Sequence, residues 1–186
     1  VRGIDDIRLK LLNNRWLVAG PLAGYQFGRD EDDGDRLIGL GDVDGGVVVG
    51  GFAGIKLMPS LIFGLSYHHT VSGDVDGGQL RFGLEYEQPL SNRVTFLGKA
   101  GATYADDDYM DAYFGVSNAQ SNASAAGLGV FEASSGIKDV YVDAGVKYKM
   151  NERWSLKLNG RYSRLVGDAA DSPLIETEDQ FSGSAN

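Results

Sequence analysis

Apolar and polar positions alternate along most of this chain. In DVYVDAGVKYKM (139–150), Val140, Val142, Ala144, Val146, Tyr148 and Met150 share one face, and Tyr141, Asp143, Gly145, Lys147 and Lys149 the other. RWSLKLNGRYSRL (153–165) sets Trp154, Leu156, Leu158, Gly160 and Tyr162 against Lys157, Asn159, Arg161 and Ser163. GQLRFGLEYE (78–87) sets Leu80, Phe82, Leu84 and Tyr86 against Arg81, Gly83, Glu85 and Glu87. RVTFLGKAGATY (93–104) sets Val94, Phe96, Gly98, Ala100, Ala102 and Tyr104 against Thr95, Leu97, Lys99, Gly101 and Thr103. A period of two is that of a β-strand. The runs are about ten residues long, where strands of water-soluble proteins usually have about five or six, and about ten is what a tilted strand needs to cross a bilayer. Gly45 to Tyr67 has a single charge, Lys56, and could be mistaken for a membrane helix. Pro59 in its middle, the glycines at 46, 50, 51, 54 and 64 and the β-branched Val47, Val48 and Val49 predict two strands around Leu57-Met58-Pro59-Ser60 instead.

The pattern predicts strands near 4–12, 15–28, 46–57, 60–72, 78–88, 93–104, 138–150 and 153–165, with another beginning at Phe181. Their connections alternate. Leu12 to Arg15, Met58 to Ser60, Pro89 to Arg93 and Met150 to Arg153 are tight, whereas 29–45, 105–138 and 166–180 are long and 73–77 is intermediate. Short turns at one end and long loops at the other are the layout of an outer-membrane barrel. Charge follows the same division. Of 26 acidic and 17 basic residues in the chain, segments 29–45, 72–78, 105–139 and 166–180 hold 20 acidic and 3 basic, leaving 6 acidic and 14 basic for the strands and short turns. The acidity therefore belongs to one rim, and the rest of the chain is net basic. Tyr25, Phe27, Tyr67, Tyr104 and Tyr162 approach the long-loop rim, and Trp16, Tyr86, Tyr148 and Trp154 the short-turn rim, as two interfacial belts would require.

The expected fold is therefore all-β, an antiparallel transmembrane β-barrel of the outer-membrane type. A soluble up-and-down barrel would show the same alternation with its apolar side chains inside. Strand length and loop asymmetry favour the membrane form. With short turns on the periplasmic side, the first and last segments both run toward the periplasm, while single-chain bacterial barrels have an even strand number. The expectation is thus that residues 1–186 form one barrel domain lacking its first strand or strands and most of its closing strand, the whole having 10 or 12 strands. Val1 in place of methionine, with no signal segment, agrees with a processed or truncated chain.

Composition narrows the chemistry. Glycine is abundant (27) and proline scarce (4), which argues against collagen-like and long helical structure. There is no cysteine, so disulfides and thiolate metal sites are excluded, and two histidines leave little for a histidine-based centre. An acidic chain of pI near 4.6 argues against nucleic acid as a partner.

Four runs carry a resemblance: GRDEDDGDRLIGLGDVDGG at 28–46, YADDDYMDAYFGVS at 104–117, GIKDV at 136–140 and YSRLVGDAADSPLI at 162–175. In order and spacing the chain resembles the MipA/OmpV family of Gram-negative outer-membrane proteins over nearly its whole length. The resemblance implies a β-barrel of the cell outer membrane, in contact with its lipid and lipopolysaccharide, without cofactors or known catalytic residues. MipA-type members are scaffolds joining a lytic transglycosylase to a peptidoglycan synthase, and OmpV-type members are associated with adhesion and antigenicity. The family's opening strands and aromatic closing strand are not found in this chain.

The candidate sites divide by rim. Asp30, Glu31, Asp32, Asp33 and Asp35 form an acidic outer loop, but the EF-hand register fails, since Gly34, Asp35 and Gly41 fall at positions 5, 6 and 12. Its readings are a divalent-cation or lipopolysaccharide-bridging site and a solvated cap. The glycines of GLGDVDGG (39–46) open no helix and do not make a nucleotide loop. His68 and His69 are adjacent on a strand and point to opposite faces. Ser66 shares a face with His68, yet no nucleophile motif surrounds it, and the chain is expected not to be an enzyme. Arg81, Glu85, Glu87, Lys99, Asp143, Lys147, Lys149, Lys157 and Arg161 are expected to line the lumen, either as a locking network or as an anion-preferring path. In loop 105–138, Asp106 to Phe114 suits one or two helical turns and Asn118 to Ala126 is small and polar; the loop is either a recognition surface or a lid. Arg15, Arg93 and Arg153 mark the periplasmic turns. The leading function is an envelope scaffold; the alternatives are a narrow solute channel and a surface adhesin or antigen.

Overall fold

A computed structural model describes residues 4–185. The strands are β1 (Ile4–Arg8), β2 (Leu12–Asn13), β3 (Leu17–Gln26), β4 (Gly46–Met58), β5 (Leu61–Thr70), β6 (Gly78–Pro89), β7 (Val94–Ala105), β8 (Gly136–Lys149), β9 (Ser155–Leu165) and β10 (Asp179–Ala185). Three short helices, α1 (Asp107–Phe114), α2 (Asn118–Ala123) and α3 (Asp168–Asp171), lie in the long connections. The segment expected as one strand near 4–12 is interrupted, β1 and β2 both pairing with β3. Each further strand pairs antiparallel with the next, in the order β1-β3-β4-β5-β6-β7-β8-β9-β10.

The sheet is strongly curled. Between β1 and β6 lie three strands, which would put them roughly 19 Å apart in a flat sheet. Yet Arg8 of β1 lies 3.8 Å from Glu85 of β6. The result is a half-barrel, and among the described residues no pairing joins β1 to β10.

Alternation assigns the two walls. Val142, Leu158 and Phe181 on the outer wall are 56 %, 53 % and 80 % exposed, in line with Val49, Ile55, Leu65, Leu84 and Val146 on the neighbouring strands. The aromatic residues expected at the rims, from Trp16 to Tyr162, are all exposed on this same surface or beside it. A face this apolar and this exposed is what lipid would cover. The inner wall has two halves. On β3 to β5, Val18, Leu22 and Phe52 form a small apolar cluster against Ile62. On β6 to β9 it carries charge, as detailed below.

The largest apolar cluster sits among the long loops, at one mouth of the half-barrel. Tyr109, Met110, Tyr113 and Phe114 of α1 pack with Val43, Val75, Ala105, Ala133, Leu165 and Ala169. A second cluster joins Leu40, Val116 and Leu174 from three different loops. The acidic segments are thus a folded cap. Asp106 explains where α1 starts: Oδ1 accepts from Tyr109 N at 3.0 Å while Oδ2 accepts from Gly78 N at 2.6 Å, tying the helix to β6. The stretch read only as small and polar, 118–126, begins with α2, whose N-cap Ser117 forms a reciprocal capping box with Gln120.

Candidate functional site

The inner charges meet in one row. Register pairs Glu85 with Lys99, Lys99 with Asp143, and Asp143 with Arg161, so charge alternates across β6, β7, β8 and β9. Lys99 Nζ donates to Glu85 Oε1 at 3.1 Å. Arg161 Nε donates to Asp143 Oδ1 at 2.5 Å and Nη2 to Oδ2 at 3.0 Å, a two-pronged contact. The same guanidinium lies 4.2 Å from the Tyr141 ring centroid. Arg8, which the periodicity did not single out, completes the row from the opposite side: it faces Glu85 and also sits 5.3 Å from the Phe52 ring centroid. Its pairing with buried Leu22 was the only available signal, and that required knowing the β1–β3 register.

Toward the short-turn end the inner wall changes character. Lys147 pairs directly with Lys157, and Lys149 with Ser155. Glu87 stands on the same wall two strands away, opposite Leu97. Toward the other end, Arg81 faces Ser66 and Thr103, and Thr103 Oγ1 donates to Asp139 at 3.0 Å. Here a bulge breaks the β7–β8 register between Thr103 and Tyr104, leaving Lys138 as an extra residue. The bulge turns Lys138 inward, where it contacts Asp139 and lies 6.0 Å from the Tyr109 ring. Sequence reasoning placed Lys138 at a strand end and missed it, because a one-residue bulge leaves no mark on a period-two pattern.

The cap closes on this end. Gln26 donates to Tyr109 Oη at 3.4 Å, and Tyr113 donates to the Phe27 carbonyl at 3.1 Å. Arg29, buried, donates to the Tyr113 carbonyl at 3.4 Å. Burial pushes the Tyr109 and Tyr113 hydroxyls above the ordinary phenol range and holds Arg29 below the ordinary guanidinium value. Ser172 fastens α1 from its far end, donating to the Phe114 carbonyl at 2.6 Å.

The acidic outer loop is turned on itself. Asp30 and Asp33 cap a single 3-10 turn, Glu31–Asp33, and Glu31 accepts from Gly39 N and Gly41 N. Asp42 accepts from Glu31 N at 2.8 Å. Asp32 and Asp35 stay at the exposed surface. No group of three or more carboxylates or histidines arranged for a metal occurs among the described residues. The two histidines are separated by the strand: His68 is buried on the inner wall with Ser66, while His69 lies outside, 3.2 Å from Asp76 and stacked on Tyr67.

At the opposite end, three of the short turns share one fastening. Asn14 Oδ1 accepts from Trp16 N and Leu17 N at 2.8 and 2.9 Å. Ser91 Oγ accepts from Arg93 N and Val94 N at 3.2 and 3.0 Å. Asn151 Oδ1 accepts from Arg153 N and Trp154 N, both at 2.9 Å. A side-chain oxygen bonding the backbone two and three residues on fixes a tight turn. Each turn carries an arginine: Arg15, Arg93 and Arg153. Arg15 lies 4.9 Å from the Trp16 ring centroid.

Comparison with known proteins gives a consistent set. Residues 1–186 match the family model described as MltA-interacting protein MipA. The chain is 27 % identical over 165 residues to outer membrane protein Omp26La of Vibrio anguillarum, covering 86 % of this chain and 60 % of that protein. It is 28 % identical over 165 residues, with the same coverage, to outer membrane protein OmpV of Vibrio cholerae. The chain thus spans about 60 % of the length of these relatives.

Proposed function

The chain belongs to the MipA family, and from that premise we propose that it is a non-catalytic outer-membrane scaffold that holds periplasmic murein enzymes against its short-turn end. Its relatives are named outer membrane proteins, and the outer wall of the half-barrel has the apolar exposure such a location demands. The family description names an interaction with MltA, a lytic transglycosylase, which is the first partner to test; a peptidoglycan synthase is the second. Lipid and lipopolysaccharide would surround the barrel.

The observation that carries this reading is the set of fastened turns. Three loops at one end, each locked by an Asn or Ser side chain, hold Arg15, Arg93 and Arg153 without the entropy cost of ordering a free loop. Each turn is small, so an interface would combine several. The other end supports the same assignment by contrast, since an apolar cap packs over that mouth of the half-barrel and the inner wall carries the paired charge row Glu85–Lys99–Asp143–Arg161. On this reading the row locks the interior. On the same reading the described strands belong to a single barrel domain.

The test pairs affinity capture with conductance. Full-length protein in detergent should retain the lytic transglycosylase, and exchanging Arg15, Arg93 and Arg153 together for glutamate should lower capture at least tenfold without loss of folded protein. Planar-bilayer recording should show no unitary steps. Undiminished capture by the triple variant, or reproducible anion-selective steps, would overturn the proposal.

A further inference from the structure

The inner wall near the short turns holds more positive charge than the fold uses. Lys147 and Lys157 stand directly opposite one another on β8 and β9, both inward, with Lys149 two residues further along the same face. Like charges in directly opposed positions repel and destabilise a sheet. Among the described residues none of these three lysines has a carboxylate within ion-pair distance, although every charge in the row above is paired. Among the described residues the nearby carboxylates are engaged elsewhere or lie apart. Glu85 feels Lys157 but is occupied by Lys99 and Arg8. Asp143 is bound by Arg161 from two directions. Glu87 is two strands away, roughly 10 Å by strand spacing. Glu152 lies in the β8–β9 turn, beyond the ends of both strands. The acidic cap, which could neutralise the lysines, is at the far end of the barrel.

We propose that Lys147, Lys149 and Lys157 form a binding site for a small multivalent oxyanion that enters from the periplasmic end. Two ammonium groups facing across one strand spacing suit a ligand with two anionic groups a few ångströms apart, and Asn159 and Thr95 on the same wall add polar partners. Carboxylate and phosphate oxygens present the same chemistry to lysine, so citrate and pyrophosphate serve as probes for the two sources. The site does not depend on the scaffold reading: loss of protein capture with anion binding intact would sink the scaffold alone.

The site makes a prediction that a merely structural role for these lysines reverses. Without anion, Lys157→Gln should raise the thermal midpoint of unfolding of the full-length protein in micelles, because a repulsion is removed. With 5 mM probe, the native protein should gain several degrees, and Lys157→Gln and Lys147→Gln should each lose most of that gain. Calorimetric titration should show at least tenfold weaker binding in either variant. Binding of citrate alone assigns a carboxylate ligand, of pyrophosphate alone a phosphate ligand, and of both a site set by charge. No heat and no midpoint shift with either probe, or a lowered midpoint for both variants without probe, would overturn the site.

Discussion

Asp143 and Arg161 set the strongest constraint at the scale of single residues. Asp143 is buried at 5 % exposure, and Arg161 reaches it through two hydrogen bonds while stacked on Tyr141. Removing one member leaves the other uncompensated in a poorly solvated wall, which costs about 3 kcal/mol, whereas removing both leaves no orphaned charge. Asp143→Asn should therefore destabilise the barrel more than Asp143→Asn combined with Arg161→Gln, as read by urea unfolding in micelles. The tyrosines of the cap give a second prediction. Folded Tyr109 and Tyr113 ionise above their ordinary value because burial disfavours the phenolate. A group whose pKa is raised on folding contributes stability that is fully present below the unfolded pKa and is lost as pH climbs beyond it. The cap should hold through neutral pH and loosen above about pH 10. Tyrosinate absorbance followed together with protease susceptibility of 105–135 checks this, and Tyr109→Phe should shift the loosening to higher pH.

At the scale of elements, what was legible in the sequence follows from what repeats. Strands β4 to β9 were readable because a membrane strand repeats its two-face pattern over ten or more residues, as in Val140, Val142 and Ala144 against Tyr141 and Asp143. The same parity placed Glu85, Lys99, Asp143 and Arg161 on one wall, but their order into an alternating row required the register between strands. The cap was only half legible. Residues 106–114 read as one or two helical turns, yet nothing in the loops announced that Val43, Val75, Ala133 and Ala169 would meet around α1, since those contacts join segments far apart in sequence. Asp106 is the element's anchor, capping the helix and bonding Gly78 of β6. Asp106→Ala should cost about 1–2 kcal/mol of local stability by loss of the cap. Hydrogen exchange should show faster opening in α1 with β8 and β9 unchanged; equal acceleration throughout the sheet would mean that the cap and barrel unfold as one unit.

At the scale of the whole molecule, the arrangement is a polarity along one axis and another across the wall. Along the axis, an acidic folded cap stands at one end and fastened basic turns at the other, and the scaffold and anion-site proposals both draw on that difference. Across the wall, the alternation has a consequence that separates a membrane barrel from a soluble one. Val142, at the middle of β8, and Ser163 on β9 lie on neighbouring strands, but Val142 faces out at 56 % exposure and Ser163 faces in. If lipid covers the outer wall, a lysine at the outward position must shed water into hydrocarbon, at a cost of about 2–4 kcal/mol near the bilayer midplane. A lysine at the inward position keeps polar neighbours and costs little. Val142→Lys should therefore fold poorly into phospholipid vesicles while Ser163→Lys folds nearly as the native protein does, measured as the heat-modifiable fraction on gels. A soluble barrel reverses this order, because the outward position would then face water and the inward one the core. The ranking of these two variants thus tests the sidedness on which the lumen row, the lysine site and the periplasmic turns all depend.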